Sequence, residues 1–271
     1  MSDGDGTTGS DRYDEIAITP AAFSLTGQHV LVTGAGRGLG QGMAVSAGLA
    51  GASVTALARS ADQLEETVRL IRDRGGECVA HAADLSDLEA IPEHAAAIEN
   101  RLPIDGVVHA AGVQIRKAAI DYTLPEWRRV QSVNADAPFF LSSAVARAQQ
   151  ATGRPGSHVF VGSLASTIGL PRGAAYAASK TALLGIARSL STELSSVGIR
   201  ANVIGPGYFP TQLTADLLSD PANLRRIMSR IPMGRMGTPA ELAGVVVFLL
   251  SDAARYITGQ LINVDGGWLG A

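Results

Sequence analysis

The chain has 271 residues, of which 46% are hydrophobic and 17% are charged, with a formal net charge of −3. These values are typical of a soluble globular protein with a full core, and the slightly acidic charge gives no electrostatic basis for nucleic acid as a partner. Because Cys78 is the only cysteine, no internal disulfide can form, and we expect a reducing, cytoplasmic location.

The first 24 residues differ in composition from the rest. They are acidic, polar and rich in Gly, Asp, Ser and Thr, and they lack the basic start and apolar run of a secretory signal. No later segment reaches the roughly 18 uninterrupted apolar residues of a membrane span, so no membrane association is expected. We predict a flexible segment over residues 1–24 and one folded domain over residues 25–271.

A short apolar strand, His29–Thr33, leads into a glycine-rich turn and then into a helix-forming segment. The turn contains Gly34, Gly38, Leu39 and Gly40, with its glycines in the spacing Gly-x-x-x-Gly-x-Gly. Glycines at such positions permit positive φ and a close approach of the backbone to phosphate. Strand, turn and helix in this order predict a dinucleotide site in which the helix N-terminus binds the pyrophosphate. A plain tight turn is the alternative.

The residue that follows the second predicted strand, Ser53–Ala58, usually distinguishes a site for NAD from a site for NADP. A site for NAD has an acidic residue about 20 residues after the glycines. Arg59 stands there instead, and Arg37 lies inside the glycine turn. Two guanidinium groups suit the 2′-phosphate of NADP, so we predict NADP(H) as the preferred cofactor, with NAD(H) possible. Two solvated surface arginines are the alternative.

Residues after the next two strands suit the rest of a dinucleotide. Asp84, with Leu85 beside it, either accepts a hydrogen bond from the adenine amino group or caps the following helix. Ala111 and Gly112 form a small-residue turn where a nicotinamide ribose would pass close to the backbone.

Strands and helices alternate to the end of the chain, which predicts an α/β fold with a single doubly wound (Rossmann) domain. The further predicted strands are Glu77–Ala82, Ile104–Ala110, Ser157–Gly162, Ile199–Ile204 and Leu261–Val264. The predicted helices include 61–74, a helix from about Asp87, Glu126–Gln150, Ala174–Val197, a lid within Thr211–Met228, and Pro239–Leu250.

A serine, a tyrosine and a lysine follow the fifth strand. Ser163 lies at its carboxyl end, and Tyr176 and Lys180 lie one turn apart on one face of a predicted helix. A lysine ammonium about 4 Å from the phenol, at an effective dielectric of about 20, would favour the phenolate by roughly 4 kcal/mol and lower the tyrosine pKa towards neutrality. Such a tyrosine can move a proton on or off a substrate oxygen that Ser163 positions. An ordinary amphipathic helix with an exposed lysine is the alternative.

Asn134 is an amide among apolar neighbours in the predicted helix Glu126–Gln150. It is interpreted either as a buried structural amide or as part of a water relay to Lys180.

In this order and spacing, the residues resemble the short-chain dehydrogenase/reductase family in its single-domain subtype, from about Leu25 to Trp268. The matching positions are Thr33, Gly34, Gly38, Gly40, Asp84, Asn134, Ser163, Tyr176, Lys180, Pro206, Gly207, Thr211 and Asp265–Gly267. The resemblance implies a seven-stranded parallel sheet flanked by helices and a homotetramer formed through the two long helices. One departure is His109, which stands where the family usually has an asparagine and leaves in doubt a contact that supports the central strand.

The resemblance also implies roles for individual residues. The catalytic residues would be Asn134, Ser163, Tyr176 and Lys180, and the last two would also contact the nicotinamide ribose. Residues 204–211 would contact the nicotinamide and diphosphate, through Pro206, Gly207 and Thr211 among others.

Several segments are similar to the gluconate 5-dehydrogenase and 2-deoxy-gluconate 3-dehydrogenase branch, namely 38–44, 111–117, 205–214, 230–237 and 264–269. This similarity implies a hydroxylated substrate, including carboxylated ones such as gluconate, and the candidate contacts are Gln114, Arg116, Ser163 and Tyr208. For Arg116 the alternative is a surface residue of a loop. Leu164, Ile168 and Leu170 instead favour an apolar ketone or a 3-oxoacyl substrate.

We therefore predict an NADP(H)-dependent oxidoreductase that interconverts a secondary alcohol and a ketone of a small molecule by hydride transfer, with Tyr176 as the general acid or base. No metal ion is expected. The alternative from another class is a catalytically silent, dinucleotide-binding regulatory protein, which would not need all four catalytic residues.

Overall fold

Seven parallel strands form one sheet in the order β3-β2-β1-β4-β5-β6-β7 in the computed structural model, which describes residues 18–271 apart from the side chains of residues 213 and 216. The strands are β1 (His29–Thr33), β2 (Ser53–Ala58), β3 (Glu77–Ala82), β4 (Gly106–His109), β5 (Gly156–Val161), β6 (Ile199–Pro206) and β7 (Leu261–Val264). The prediction of a doubly wound α/β domain with a seven-stranded parallel sheet is confirmed.

Helices cover both faces of the sheet, because side chains along a strand alternate between its faces. The helices are α1 (Gly38–Leu49), α2 (Ala61–Arg72), α3 (Ile91–Arg101), α4 (Leu124–Gln131), α5 (Ala137–Ala151), α6 (Ala174–Leu194), α7 (Gln212–Ser219), α8 (Pro221–Met228) and α9 (Pro239–Leu250). On β1, Val30 and Val32 pack on one side with α1, α2 and α9, whereas Leu31 packs on the other side with α3 and α5. Helix α6 covers β5 and β6 on that second side through Phe160 and Leu183.

The helix predicted as continuous over Glu126–Gln150 contains a π-helical turn, Ser132–Asp136, between α4 and α5. Pro138 lies four residues after Asn134 and has no N–H, so the main-chain carbonyl of Asn134 cannot receive an α-helical hydrogen bond. The proline therefore explains why the helix changes its winding at this place.

The segment predicted as a lid forms two helices, α7 and α8. Asp220 ends the first of them and caps the second, because its carboxylate accepts a hydrogen bond from the N–H of Ala222 at 2.8 Å. Pro221 then occupies the first turn of α8, where its missing N–H costs nothing.

The predicted flexible segment lies mostly in residues 1–17, outside the described part of the chain. Residues 18–24 include a short 3₁₀ helix, Pro20–Phe23, and the ring of Phe23 stacks on Phe248 of α9 with 6.2 Å between centroids. The division at residue 24 stays a prediction. Within residues 18–271, no helix has both the length and the apolar run needed to cross a bilayer.

The strand order locates the cleft. The chain winds outward from β1 in one direction to β3 and in the other direction from β4 to β7, so the order reverses between β1 and β4. Ligands of open α/β sheets bind at the carboxyl ends of the strands that flank such a reversal. Because all seven strands are parallel, the residues that follow them meet at this one edge.

Candidate active site

The glycine turn after β1 forms a cradle of bare backbone. Gly34 has a φ of +65°, and a Cβ on it would lie 2.7 Å from the main-chain nitrogen of Ala111. Gly38 has a φ of +59° and begins α1, whose N-terminus carries no side-chain cap. The first N–H groups of α1 are therefore open to an anion, so the turn fits the pyrophosphate of a dinucleotide.

Thr33 joins the two central strands beside this cradle. Its hydroxyl accepts hydrogen bonds from the N–H groups of Ala110 at 3.1 Å and Ala111 at 3.2 Å. It thereby holds the small-residue turn that ends at Gly112 against the glycine turn. No function was predicted for Thr33 beyond its match to the family pattern, although a polar residue at the end of an apolar strand can indicate such a hydrogen bond.

Arg37 and Arg59 both lie at the carboxyl ends of β1 and β2, beside the glycine turn, and their contact with a cofactor stays a prediction. Arg37 is the N-cap residue of α1 and Arg59 directly follows β2, and both side chains are exposed. Neither side chain forms an ion pair or hydrogen bond with the described residues, so both guanidinium groups are free to bind a phosphate.

Asp84 does not cap a helix, which makes one of its two interpretations wrong. Helix α3 begins only at Ile91, and one carboxylate oxygen of Asp84 accepts from the N–H and the hydroxyl of Ser86 at 3.0 and 2.8 Å. These hydrogen bonds lower the pKa of Asp84, and the charge of Arg59 lowers it further. Leu85 is buried in the core, so its predicted contact with a cofactor would use its backbone.

Tyr176 and Lys180 are brought together on α6, one turn apart and both buried. Tyr176 is 9% exposed, Lys180 is 4% exposed, and the Lys180 ammonium lies 5.6 Å from the centroid of the Tyr176 ring. The ammonium donates a hydrogen bond of 2.7 Å to the carbonyl oxygen of Val161, the last residue of β5. This places the lysine at the carboxyl end of the central strands.

The predicted lowering of the Tyr176 pKa by Lys180 is wrong for this state of the protein. Burial raises the pKa of Tyr176, and this effect outweighs the hydrogen bond with Ser163 and the charge of Arg116, which act in the opposite direction. Burial also lowers the pKa of Lys180 to about 8. The lysine charge is directed to Val161 rather than to the phenol, so Tyr176 remains a protonated phenol.

Asn134 and Gly112 border the same place. The amide of Asn134 is fully buried, its oxygen accepts from the N–H of Val113 at 2.8 Å, and its nitrogen donates to the Val113 carbonyl and to the Ser179 hydroxyl at 2.9 and 3.0 Å. A Cβ on Gly112 would lie 3.4 Å from the Asn134 oxygen and 3.6 Å from the Lys180 nitrogen. These are the contacts of a structural amide, and the role of Asn134 in a water relay stays a prediction.

Two further serines organise the site without having been identified from the sequence. The Ser166 hydroxyl donates to the main-chain carbonyl of Lys180 at 2.8 Å and accepts from the N–H of Ser163 at 3.2 Å. The hydroxyl of Ser179 is the partner of Asn134. The only indication in the sequence was that these serines lie close to predicted site residues, and small polar residues are also common on exposed helix faces.

The predicted substrate residues lie at the open side of the cleft. Arg116 donates to the side-chain oxygen of Gln114 at 3.3 Å, and its charge acts on the pKa of both Tyr176 and Tyr208. The loop that carries Arg116 is held to the loop before α6 by a hydrogen bond of 3.1 Å from the N–H of Lys117 to the carbonyl of Arg172. Arg116 is exposed, and its charge acts on Tyr176.

The segment after β6 closes the cleft on the other side. Pro206 ends the strand, and the N–H of Gly207 donates to the carbonyl of Val264 at 2.9 Å. Thr211 is the N-cap residue of α7 and lies across from the glycine turn, because a Cβ on Gly38 would be 3.9 Å from its methyl group. The predicted residues Pro206, Gly207 and Thr211 thus lie on the same cleft as the glycine turn.

His109, the departure from the family pattern, finds partners in a fully buried network. Its ring shares a hydrogen bond of 2.7 Å with the Ser142 hydroxyl and stacks on Phe160 with 4.6 Å between centroids. His158 contacts the same hydroxyl at 3.1 Å and the Gln149 oxygen at 3.1 Å. These hydrogen bonds connect the central strands β4 and β5 to α5. They replace the strand-supporting contact that was in doubt because His109 stands where the family usually has an asparagine.

This network predicts a loss of stability in acid. Burial lowers the pKa of His158 to about 4 and that of His109 well below 6.5. Between pH 6.5 and about 4 the unfolded chain binds these protons and the folded chain does not, so the free energy of unfolding falls as the pH falls, by about 1.4 kcal/mol per pH unit for each histidine. Denaturant titrations across this range measure the slope.

His158→Gln is expected to make that slope shallower, because one of the two titrating groups is gone. Gln150→Ala, at an exposed position of helix α5 and with no titrating group removed, provides the control. An equal acid slope for the parent protein and the His158→Gln variant would contradict the role given to this network.

Comparisons with known proteins agree with this geometry. The family model described as enoyl-(acyl carrier protein) reductase matches residues 34–269. The 2-dehydro-3-deoxy-D-gluconate 5-dehydrogenase of Dickeya dadantii is 38% identical over 251 residues, which cover 91% of this chain and 97% of that protein. The gluconate 5-dehydrogenase of Gluconobacter oxydans is 35% identical over 249 residues, with 92% and 97% covered.

A solved structure extends the likeness to three dimensions. A gluconate 5-dehydrogenase from Burkholderia cenocepacia, in complex with NADP and tartrate, matches with a TM-score of 0.88 at 33% identity, covering 92% of this chain and 98% of that one. The resemblance stated from the motifs is thereby confirmed. The chain belongs to the short-chain dehydrogenase/reductase family and is an oxidoreductase.

Proposed function

We propose that the protein is an NADP(H)-dependent oxidoreductase that interconverts a secondary alcohol and a ketone in a sugar acid such as gluconate. The observation that carries the proposal is the convergence of Tyr176, Lys180 and Ser163 at the edge of the sheet where the glycine turn is open to a dinucleotide. The gluconate dehydrogenases that the chain resembles, one of them in complex with NADP, support the choice of substrate and cofactor.

The cofactor would be held along the carboxyl ends of β1 to β6. The glycine turn and the N-terminus of α1 would bind the pyrophosphate, and Arg37 and Arg59 the 2′-phosphate. Gly112 and Lys180 would border the nicotinamide ribose. When bound, the dinucleotide supplies or accepts the hydride.

Tyr176 would exchange a proton with the reacting oxygen of the substrate. Because burial keeps its phenol protonated, Tyr176 is prepared to donate that proton to a ketone oxygen in the reductive direction. Ser163 would hydrogen-bond the same oxygen and hold it beside the phenol. In the oxidative direction the phenol must first lose its proton, so oxidation should become faster as the pH rises.

Lys180 and Asn134 would connect Tyr176 to solvent. The Asn134 side chain is occupied by Val113 and Ser179, but its main-chain carbonyl has lost its α-helical partner at the π turn. That carbonyl is the group we propose for the water that links Lys180 to solvent, in place of the side chain.

The side chains around the cleft favour a polar, anionic substrate over an apolar ketone. Arg116 and Gln114 offer a guanidinium and an amide beside Tyr176, and Tyr208 adds a hydroxyl. Leu164, by contrast, is 3% exposed and packs in a cluster, so it provides no free apolar wall for an acyl chain, which leaves only the half-buried Ile168 and Leu170 for such a wall.

A substrate panel tests the proposal. Purified protein is assayed at the nicotinamide absorbance band with NADP and NAD against gluconate, other sugar acids and cyclic alcohols, and with NADPH against keto-sugar acids and 3-oxoacyl compounds. We expect turnover of sugar acids with NADP. Activity on acyl ketones alone would show that the substrate is an acyl ketone and not a sugar acid. No turnover of any substrate would favour a regulatory dinucleotide-binding protein.

The assembly we propose is a cytoplasmic homotetramer formed through α4–α5 and α6. Trp127, Phe139 and Phe140 on the first of these helices are 38%, 40% and 47% exposed, which is unusual for aromatic side chains on an isolated surface. Sedimentation of the protein as a monomer at micromolar concentration would contradict the assembly.

A further inference from the structure

Basic side chains stand on the lid helix α8, and the proposed reaction does not yet use them. Arg226 lies in the last turn of α8, and Arg230 lies in the turn that follows it. Both are exposed, and neither is paired with a carboxylate among the side chains that the structure describes. In a chain whose net charge is −3, unpaired guanidinium groups gathered at one place form a surface suited to an anion.

The packing of the lid places this surface over the catalytic residues. Ile227 and Ile231, the residues that follow the two arginines, are buried in one cluster with Leu164 and Trp268. Leu164 comes directly after Ser163. The end of α8 is therefore anchored next to the catalytic serine, and the arginines stand at the rim of that contact.

Arg230 and Tyr208 share a wall of the cleft. The guanidinium carbon of Arg230 lies 4.4 Å from the centroid of the Trp268 ring, and the Trp268 ring lies 4.8 Å from that of Tyr208. The indole N–H of Trp268 is buried and is the one such side-chain atom without a hydrogen-bond partner in residues 18–271. The buried indole thus serves as a platform, and the exposed guanidinium of Arg230 is the group of this wall that suits an anionic ligand.

Electrostatics link the lid to Arg116 on the opposite loop. Burial raises the pKa of Tyr208, and the charges of Arg226, Arg116 and Arg230 act against that rise. Arg116 acts on Tyr176 as well. The three guanidinium groups therefore act on the Tyr208 hydroxyl, which the contacts through Trp268 place beside Arg230, and the charge of Arg116 acts on the Tyr176 phenol as well.

We propose that Arg226 and Arg230 form, with Arg116, a guanidinium clamp that binds the carboxylate of the sugar-acid substrate and draws α8 over it. The inference rests on the proposed function and adds the lid as the element that selects anionic over neutral polyols. Arg116 binds from the loop after β4, and the two lid arginines bind from the other side of the cleft. A neutral sugar alcohol would gain nothing from the clamp.

The test compares Arg226→Gln and Arg230→Gln with the matched control Arg225→Gln, which removes an exposed arginine of the same helix. The dissociation constant of gluconate is measured by calorimetry on NADP-loaded protein, and KM and kcat are measured for gluconate and for galactitol, a neutral polyol. Removing one charge-assisted hydrogen bond should weaken gluconate binding and raise its KM about tenfold or more. Galactitol kinetics and the Arg225→Gln variant should match the parent.

A conservative variant separates charge from packing. Arg230→Lys keeps a cation near Trp268 and should recover most of the affinity for gluconate, whereas a merely structural role would leave Arg230→Lys as impaired as Arg230→Gln. If the parent binds gluconate and both glutamine variants behave like Arg225→Gln, the clamp is wrong and the proposed function stands. If the parent neither binds nor turns over any sugar acid, the proposed function and the clamp both fail.

Discussion

Replacing Tyr176 with phenylalanine is expected to lower kcat/KM for a sugar acid by about 10²- to 10⁴-fold, the range that a positioned general acid or base contributes. The variant keeps the ring that packs beside Lys180 and loses only the hydroxyl. NADPH binding, measured by fluorescence titration, should change little, because the glycine turn and the arginines at the adenosine end are untouched.

Tyr256→Phe is the matched control for this prediction. Tyr256 is a fully exposed tyrosine of the same chain, and its variant should keep the parent rate. If Tyr176→Phe turned over a sugar acid at the rate of Tyr256→Phe, the proton role given to Tyr176 would be wrong. The pH dependence of the parent's oxidation rate is a second test of this role. The rate should rise with pH beyond neutrality, since burial raises the pKa of the phenol that must act as the base.

Replacing Arg59 with aspartate is expected to weaken NADPH binding by about 100-fold. The variant removes charge-assisted hydrogen bonds worth about 1.5–3 kcal/mol and places a carboxylate next to a phosphate. NADH binding should change by a small factor or improve, because an acidic residue at this place accepts hydrogen bonds from a ribose hydroxyl. Titration of both cofactors against the parent and the variant gives the four dissociation constants.

Arg255→Asp controls for the change in net charge, because Arg255 is exposed and follows the last helical turn before β7. It should leave both affinities at the parent values. If the parent bound NADPH and NADH equally and the Arg59→Asp variant bound both as the parent does, the predicted contact between Arg59 and the 2′-phosphate would be wrong.

The order of strands and helices could be predicted because it depends on local properties of the chain. Apolar runs bounded by glycine, proline and polar residues placed β1, β2, β3 and β7 at the bounds that the structure shows. Two helix boundaries were wrong. The helix after Asp84 begins at Ile91 rather than near Asp87, and the helix predicted over Glu126–Gln150 changes to a π turn at Ser132–Asp136 because of Pro138.

The positions of the site residues were also accessible from the sequence. All strands of the sheet are parallel, so residues that follow successive strands, such as Gly34, Arg59, Gly112 and Ser163, must meet at one edge. Tyr176 and Lys180 meet because they lie one turn apart on a helix. These relations need only the secondary structure and the direction of the strands.

What the sequence by itself determined is therefore the family, the sheet and the set of residues at its carboxyl edge. Only the tertiary structure decided how those residues behave: burial sets the direction of the Tyr176 pKa, Val161 takes the hydrogen bond of Lys180, and His109 is held by Ser142. Burial and hydrogen-bond partners depend on residues far apart in the chain, and no local pattern encodes them.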